Sequence, residues 1–316
     1  MRECYVGVDG GGTRSTGVAV APDGMVLARC AGASLNEHTI GREAARENLR
    51  TLVRNLLKES GAERCLCLTA GLASLSGPAG AEMTEAYREA SWGSICLTSD
   101  TDIALMGGSL GKPGLAVIAG TGSMCEMIDR EAIRHTSGGY GYLIGDPGSG
   151  LSLARDALLL SLDREARTGE KNGFLTYAMA EYGVSSIETL LEKVYSGDNA
   201  VARLAARGRQ VLEGAARGDV EAMAVLRSNM QHLASQACAL LDRYGTVPVY
   251  LYGGIFRNSP LAVDIFTEML GLYSDLTVSF PRFSPEIGAV LLGMRALGKD
   301  ADDAFLDTIE KTDGEA

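Results

Sequence analysis

Short apolar runs of strand length, separated by turns rich in glycine, proline and aspartate, dominate the first hundred residues of the chain. They lie at residues 5–8, 17–21, 25–28, 65–70 and 94–98. The first three follow one another through tight turns and predict an antiparallel meander. Leucine and valine then recur at helical spacing up to Gly61, a residue type that commonly ends helices, and a short helix is predicted at 83–90. An antiparallel opening followed by alternating helices and strands predicts a mixed sheet with helices on its faces.

The opening pattern repeats after residue 114. Residues 115–119 form a second apolar run of strand length. A bare turn, Gly120-Thr121-Gly122-Ser123, follows it, and residues 124–128 have the pattern of a returning strand. Two strand–turn–strand units that lie about one domain length apart predict two similar halves of the molecule.

The remainder of the chain is mostly helical in pattern. Residues 151–244 form Ala-, Leu-, Arg- and Glu-rich segments, which are divided at Gly169, Gly183, Gly197 and Gly218. The later predicted elements are a strand at 247–252, a helix at 261–270, a strand at 276–280 and a helix at 286–297. The acidic residues 299–316 are expected to fray toward their end.

Length and charge limit the classes of function. A chain of 316 residues fits two domains of ordinary size, and no apolar stretch approaches the roughly 20 residues of a membrane helix. The net charge of −11, without a block of lysine and arginine, disfavours nucleic acid as a partner. No basic and apolar signal segment precedes the first strand, so a cytoplasmic location is expected. Backbone N–H groups of a glycine loop, together with a divalent cation, can nevertheless bind phosphate whatever the global charge.

The seven cysteines contain no CxxC pair, which argues against a disulfide framework or a zinc site. Cys65 and Cys67 are the one close pair. Residues two apart on a strand share a face, so both thiols are expected to pack together in a core.

Seven motifs occur along the chain in a characteristic order. They are VGVDGGGTRST, ASLNEHTIG, LTSDTDIAL, VIAGTGSMC, GGYGYLIGDPGSG, LEGAARGD and LYGGI. With them the chain resembles the N-acetylglucosamine kinase and BadF/BcrA-type ATPase family, in the actin, sugar-kinase and Hsp70 ATPase superfamily. The resemblance implies an α/β, ribonuclease H-like (actin-like ATPase) fold with two similar lobes, whose mixed sheets flank a nucleotide cleft. Residues 1–112 with 289–316 would form the N-terminal lobe, and residues 113–288 the C-terminal lobe.

The resemblance also implies ATP as the nucleotide. Its implied contacts are Gly10, Gly11, Gly12, Thr13, Gly120, Thr121, Gly122, Ala205, Gly253 and Gly254. Consecutive glycines lack Cβ and permit positive φ, so successive N–H groups can converge on a phosphate, and Thr13 adds a hydroxyl donor. Asp9 would lie near those phosphates, where a carboxylate needs a cation, and it is therefore assigned to Mg²⁺ through water. A strand follows the first glycines, so a Walker loop and a Rossmann fingerprint are both excluded.

Phosphoryl transfer to an alcohol needs a base aligned with the hydroxyl, and a carboxylate is the usual choice. The family motif places this catalytic role on Asp100, which would also contact the sugar. Asp102 is a local competitor, because positions i and i+2 at the end of a strand share a face.

Sugar contacts follow from the same resemblance. They are Asn36, Ser123, Met124, Gly139, Tyr140, Gly141 and Asp146, together with Asp100. Amide and carboxylate groups suit a polyol, and Tyr140 could stack on a pyranose face. Three positions depart from the acetylglucosamine-kinase pattern: Met124 replaces Asn, Glu37 replaces His, and Pro147 replaces Glu. The sequence therefore leaves the identity of the amino sugar open.

Three functions compete at this point. The first is a kinase that phosphorylates a primary hydroxyl, O6 by expectation, of N-acetylglucosamine, N-acetylmuramic acid or glucosamine. The second is an activating ATPase of a dehydratase or reductase, which would use cysteines to hold an iron–sulfur cluster. The third is a sugar-responsive regulator, which lacks a recognisable DNA-binding module. The expected partner is a small-molecule amino sugar, with neither nucleic acid nor membrane, in a homodimer.

Overall fold

The structure, a computed structural model, describes residues 2–89, 92–197 and 200–314. The strands are β1 Glu3–Gly10, β2 Arg14–Val20, β3 Val26–Ala33, β4 Arg64–Leu72, β5 Trp92–Ser99, β6 Gly114–Ala119, β7 Ser123–Ile128, β8 Arg134–Gly138, β9 Val249–Tyr252 and β10 Val278–Ser279. The helices are α1 Glu37–Ile40, α2 Arg42–Ser60, α3 Ala81–Ala86, α4 Asp100–Ser109, α5 Gly150–Thr168, α6 Gly173–Glu181, α7 Ile187–Tyr195, α8 Ala200–Ala205, α9 Gly208–Ala216, α10 Val220–Tyr244, α11 Gly254–Asn258, α12 Pro260–Met269, α13 Pro285–Ala296 and α14 Asp303–Thr312.

The chain forms two compact units. The first comprises the described parts of Met1–Lys112 and Pro281–Ala316, and the second comprises those of Pro113–Phe280. Residues 281–288, expected in the second lobe, lie in the first unit because Phe283 and Ile287 are buried in its core.

The first unit contains a mixed sheet of five strands in the order β3-β2-β1-β4-β5. β1 pairs antiparallel with β2 and β2 with β3, which confirms the predicted meander. β4 and β5 extend the sheet in parallel with β1. Apolar side chains of α2 cover one face, and those of α13 and α14 cover the other. The predicted stop of α2 is confirmed, because Gly61 takes the left-handed conformation at φ 62°.

The second unit repeats this sheet. Its order is β8-β7-β6-β9-β10, with β6, β7 and β8 antiparallel and with β9 and β10 parallel to β6. The predicted similarity of the two halves is therefore confirmed at the level of strand order. Helices α5, α9, α10 and α12 supply much of the apolar core. No helix within the described residues has the length and apolar character to span a bilayer.

The two cysteines of β4 lie on opposite faces, so the expectation of a shared face is wrong. β1 pairs Cys4 with Cys65 but Tyr5 with Cys67, which leaves Leu66 as the extra residue of a β-bulge. Cys65 packs in the core beneath α2, whereas Cys67 packs in the core beneath α13. Both thiols are buried, and burial raises the pKa of each, so their predicted packing role is confirmed.

Within the acidic tail, residues 303–312 form a packed helix, while the end at which fraying is expected is described only as far as residue 314. Phe305, Leu306 and Ile309 of α14 are buried in the core that α13 also lines. Just beyond the helix, the Asp313 carboxylate accepts a hydrogen bond of 2.8 Å from Arg29 Nε. Residues 315 and 316 of the predicted tail, and Ala90 of the predicted short helix, lie outside the described residues.

Candidate active site

The first glycine hairpin connects β1 to β2. None of its three glycines has a positive φ, so the expectation that they supply left-handed backbone is wrong. They provide space instead: a Cβ on Gly10 would lie 2.8 Å from the Gly71 carbonyl oxygen, and one on Gly11 2.8 Å from that of Arg14. Gly12 and Thr13 are exposed at the tip, where their backbone is accessible to a ligand.

The predicted sugar loop packs against this hairpin. The Ser34 hydroxyl donates to the Gly12 carbonyl over 2.9 Å and accepts from the Asn36 N–H over 3.2 Å. The Asn36 Oδ1 accepts from the His38 N–H at 2.9 Å as the N-cap of α1. This bond leaves the Asn36 amide nitrogen as the donor that faces the hairpin, 3.8 Å from the position of a Gly12 Cβ. Asn36 and the hairpin are thus brought together.

Glu37, one of the departures from the family pattern, is held by two neighbours. Its carboxylate accepts a hydrogen bond of 2.6 Å from the Tyr87 hydroxyl and one of 3.3 Å from Arg42 Nε. Tyr87 is buried, and burial together with the Glu37 charge raises the pKa of its phenol, which therefore stays protonated as a donor. Glu37 thus ties the start of α1 to Tyr87 and Arg42.

Asp9 and Asp100 lie at the same edge of the first sheet. Gly10 is in register with Leu72 of β4, and Leu72 is in register with Ser99 of β5. The carboxyl ends of β1 and β5 are therefore two strand spacings apart, roughly 10 Å. The first hairpin, Asn36 and Asp100 consequently belong to one edge of one sheet.

The electrostatics of this edge are dominated by three carboxylates. Burial, the Glu286 charge and the Asp100 charge raise the pKa of Asp9 to about 7, and Arg14 opposes them. Glu286 is a buried residue at the start of α13, and it forms an ion pair with Arg29. Nothing in the sequence distinguishes Glu286, because an acidic residue after Ser-Pro is ordinary in the first turn of a helix.

Asp100 is the first residue of α4, not part of a loop. Ser99 caps the helix by accepting from the Asp102 N–H at 3.1 Å. Burial raises the pKa of Asp100, while the N–H groups of Thr101 and of Asp100 itself oppose that shift. Asp102 is bound by the Thr98 hydroxyl, and residues i and i+2 of a helix point to different sides. The expectation that Asp100 and Asp102 share a face is therefore wrong.

The residues at this edge fit a hydrated divalent cation. Among the described residues, no three His, Cys, Asp or Glu side chains converge closely enough to ligate a metal ion directly. Asp9 nevertheless carries a partly buried carboxylate beside two further acids, and a cation would favour its charged form. Carboxylate oxygen is a ligand type that Mg²⁺ prefers, and Mg²⁺ retains several of its waters. Asp9 thus suits Mg²⁺ held through water.

The second glycine hairpin connects β6 to β7. It is closed by a hydrogen bond of 2.8 Å from the Gly120 N–H to the Gly122 carbonyl, and Thr121 is exposed at its tip. The Gly120 carbonyl accepts from the Gly150 N–H at 2.7 Å, so the start of α5 lies against the hairpin. A Cβ on Gly150 would lie 2.8 Å from the Ala205 carbonyl oxygen, which places Ala205 beside the same hairpin.

Gly253 approaches the same edge from β9. It has a φ of 97°, and a Cβ there would lie only 2.1 Å from the Ala119 carbonyl oxygen, so no other residue fits. Gly254 begins α11, and its carbonyl accepts from the Asn258 side chain at 2.7 Å. Of the predicted nucleotide contacts, those in this unit therefore converge on the carboxyl ends of β6 and β9.

The predicted sugar residues of the second unit meet at Asp146. This buried residue has a φ of 62°, and its carboxylate accepts hydrogen bonds from the N–H groups of Ser123 and Gly141. Burial raises the pKa of Asp146, and the two N–H groups oppose the shift. Its Oδ2 lies 2.8 Å from the position of a Gly122 Cβ. The Ser123 hydroxyl donates to the Pro147 carbonyl at 2.7 Å, which holds this turn against β7.

Tyr140 stands at the tip of the adjoining turn. Its side chain is 64% exposed, and the flanking Gly139 and Gly141 have φ values of 68° and 81°. Met124 is partly buried beneath the turn, with its Cβ 3.3 Å from the position of a Gly139 Cβ. Tyr140 is thus presented for stacking, whereas Met124 supports the turn from below.

Cys125, the cysteine nearest a glycine hairpin, is fully buried in the core of the second unit. Burial raises the pKa of its thiol, which disfavours the thiolate that a metal cluster requires.

Comparison with known proteins places the chain in a family. Residues 6–293 match the sequence profile of the BadF/BadG/BcrA/BcrD ATPase family. The chain belongs to this family. An N-acetylmuramic acid/N-acetylglucosamine kinase of Clostridium acetobutylicum is 26% identical over 304 residues, covering 91% of this chain and 97% of the relative. An N-acetyl-D-glucosamine kinase of Dictyostelium discoideum is 26% identical over 318 residues, covering 93% and 99%.

A solved structure supports the same placement for this BadF/BadG/BcrA/BcrD ATPase. A candidate N-acetylglucosamine kinase from Chromobacterium violaceum superposes with a TM-score of 0.72 at 25% identity, covering 92% of this chain and 99% of that one. The α/β, actin-like ATPase fold expected from the sequence is therefore confirmed.

Proposed function

We propose that this ATPase is an ATP-dependent amino-sugar kinase. It would transfer the γ-phosphoryl group of ATP to a primary hydroxyl, O6, of N-acetylglucosamine, N-acetylmuramic acid or glucosamine. Two curated relatives that this chain matches over more than nine-tenths of its length carry kinase names of this class. Membership of an ATPase family accounts for the nucleotide, and the named substrates of the relatives motivate the sugar.

One observation of this chain carries the proposal. Asp100 starts a helix at the sheet edge that also holds the first glycine hairpin, with Asn36 packed on that hairpin. The first compact unit would thus supply a base, a phosphate-binding backbone and a donor for a sugar hydroxyl. Positioning and electrostatic stabilisation are the main requirements of phosphoryl transfer.

The proposed roles follow from the chemistry of each group. The N–H groups of each glycine hairpin are proposed to bind phosphate oxygens, and Asp9 is proposed to hold the hydrated cation. When bound, Mg²⁺ neutralises charge on the phosphates. Asp100 accepts the proton of the sugar hydroxyl as its oxygen attacks the γ-phosphorus, and ADP leaves with the bridging oxygen. The raised pKa of Asp100 makes its carboxylate a stronger base than an exposed aspartate.

The proposed sugar contacts include both a hydrogen-bond donor and a hydrogen-bond acceptor. Asn36 has its Oδ1 occupied by the N-cap bond, so it offers N–H donors to a hydroxyl or an acetamido oxygen. Asp146 offers a buried carboxylate that accepts from sugar hydroxyls, and Tyr140 offers an exposed ring for the pyranose face.

The test is a coupled assay of ADP release with Mg²⁺ and ATP over glucose, glucosamine, N-acetylglucosamine, N-acetylmannosamine and N-acetylmuramic acid. We expect sugar-stimulated ADP release with at least one amino sugar and a 6-phosphate in the NMR spectrum of the product. Asp100→Asn is the matched control, because it keeps the shape of the side chain and removes the base. If no amino sugar stimulates ADP release by the wild-type protein, the proposal fails.

A further inference from the structure

Ser34 joins the sugar loop to the first glycine hairpin. Only 8% of its surface is exposed, and its hydroxyl proton is directed at the Gly12 carbonyl, 2.9 Å away, with the Gly11 carbonyl at 3.4 Å. The same oxygen accepts from the Asn36 N–H at 3.2 Å. A hydroxyl has one proton to donate and lone pairs to accept, so Ser34 serves both sides at once.

The hydrogen bond from Ser34 to the Gly12 carbonyl also determines where a backbone N–H group of the hairpin tip points. A peptide unit is planar and trans, so the C=O of one residue and the N–H of the next point in opposite directions. When the Gly12 carbonyl turns toward Ser34, the Thr13 N–H turns away from it. The Gly11 carbonyl, which accepts from the Leu35 N–H at 3.3 Å, fixes the Gly12 N–H in the same manner. Ser34 therefore orients the Thr13 N–H at the exposed tip, and the neighbouring Leu35 orients the Gly12 N–H.

The remaining contacts of the loop make Ser34 the central link. The Ser34 carbonyl is held from α2 by the Asn48 side chain at 2.9 Å, and the Leu35 N–H donates to the Gly11 carbonyl at 3.3 Å. Asn36 itself caps α1 with its side chain and reaches Ser34 with its backbone N–H. A displacement of Asn36 is thus transmitted to the Gly12 carbonyl through the Ser34 hydroxyl, beside the Leu35 bond to Gly11.

We propose that Ser34 is a positioning residue that couples the binding of the two substrates, so that a sugar at Asn36 and a nucleotide at the hairpin strengthen each other. This inference rests on the proposed function, which supplies the two ligands. A sugar that holds Asn36 fixes the Ser34 bond and pre-orients the tip N–H groups, which then need less ordering to bind phosphate. The coupling is reciprocal, because linkage requires the same factor in both directions.

The experiment is a set of calorimetric titrations of the full chain. The affinity for N-acetylglucosamine is measured with and without saturating Mg²⁺·AMP-PNP, and the reverse order checks reciprocity. We expect the wild-type protein to show a coupling factor of about 5 to 20. In Ser34→Ala the factor should fall below about 2, while the affinity for each ligand alone changes much less. Ser34→Cys, which keeps the volume with a weak donor, tests the same loss if the alanine variant folds poorly.

Ser15→Ala is the matched control. The Ser15 hydroxyl is also buried and donates to a backbone carbonyl, that of Ala33 at 2.7 Å, so it ties β2 to the residue before Ser34 without a bond to the Gly11 or Gly12 carbonyl. It should lower the melting temperature by an amount similar to Ser34→Ala and leave the coupling intact. Full coupling in both Ser34 variants, its equal loss in Ser15→Ala, or no coupling in the wild-type protein would each overturn the inference. Intact coupling without turnover on any amino sugar would instead count against the proposed function alone.

Discussion

The two units share one strand order but surround their glycine hairpins differently. At the first hairpin, Asp9, Asp100 and Glu286 place three carboxylates near one sheet edge, with raised pKa values for the first two. At the second hairpin, Asp146 is the acid in contact with the turn; burial raises its pKa too, against the effect of two backbone N–H groups. The same scaffold thus carries a group of three acids in one unit and Asp146 beside the hairpin of the other.

This difference suggests that the two hairpin sites have different roles. Neighbouring like charges cost stability and persist where chemistry or a cation uses them, whereas a single buried carboxylate can accept hydrogen bonds from a neutral ligand. We expect substitutions in the first unit to change turnover and those in the second to change substrate affinity.

Asp100→Asn should give the largest effect. Removal of a positioned general base lowers kcat by about 10²- to 10⁴-fold, because the amide cannot accept the hydroxyl proton. The dissociation constant for Mg²⁺·AMP-PNP, measured by calorimetry, should stay within a factor of about three, since catalysis and not uniform binding is lost.

Asp102→Asn is the neighbouring control for that variant. Its carboxylate is bound by Thr98 on the strand before the helix, so we expect less than about a tenfold change in kcat. Equal losses in the two variants would mean that the start of α4, and not the Asp100 carboxylate, carries the effect.

The sequence predicts the sheets well because their signals are local. Most strands are short apolar runs with turn residues beside them, and the repeat of run, glycine turn and run identifies both hairpins, whereas β8 is polar and was not predicted. The side chains that line each hairpin could also be placed, since Asn36 and Asp146 lie within short motifs.

Other features depend on tertiary contacts that no local pattern records. Helix α4 was missed because two glycines near its end weaken the helical signal of a short segment, yet Gly107 is required where a Cβ would lie 2.7 Å from the Phe283 carbonyl oxygen. The bulge at Leu66 changes the face of Cys67 without any change in composition. Glu286 comes near Asp9 only because α13 returns from the far end of the chain.

Asp146→Asn tests the recognition role of the second unit. Asparagine tolerates the left-handed backbone at φ 62°, so the fold should be kept. A hydrogen bond to a charged group contributes about 1.5–3 kcal/mol, so kcat/KM for the sugar should fall about 10- to 100-fold, mainly through KM. The KM for ATP should change little, and steady-state kinetics with each substrate varied separates the two.

Asp129→Asn provides a matched control. Asp129 is also buried in the second unit and accepts backbone N–H bonds, from Glu131 at 3.0 Å and Ile133 at 2.8 Å, in the turn that connects β7 to β8. It should leave the KM for the sugar unchanged. A rise in that KM equal to the one in Asp146→Asn would show that any buried carboxylate of this unit has the same effect.

Asp9→Asn should stabilise the protein while it abolishes turnover. The pKa of Asp9 is about 7 when folded against an ordinary value of 3.8, so the folded chain retains a proton that the unfolded chain loses. The contribution of Asp9 to stability is present below pH 4 and is lost as the pH rises to about 7. In EDTA at pH 8 the variant should be more stable by about 1–3 kcal/mol, discounted for partial solvent screening.

Thermal melting across pH 4 to 8 measures this difference. The difference in melting temperature between Asp9→Asn and the wild-type protein should disappear near pH 4. At pH 8, Mg²⁺ should make this difference smaller, because the cation stabilises only the protein that carries the carboxylate. A constant advantage at every pH would show that the Asp9 charge is not the cause.

The smallest effects should come from single Cβ atoms added to the second hairpin, where two glycines two residues apart have different surroundings. Alanine at Gly120 meets no atom within 4 Å, whereas at Gly122 its Cβ lies 2.8 Å from Asp146 Oδ2. Gly120→Ala should keep the melting temperature, or raise it slightly by limiting the unfolded chain, and weaken Mg²⁺·AMP-PNP only a few-fold. Gly122→Ala should displace Asp146 and raise the KM for the sugar. If Gly120→Ala raised the KM for the sugar while Gly122→Ala did not, the role of Asp146 in sugar recognition would be contradicted.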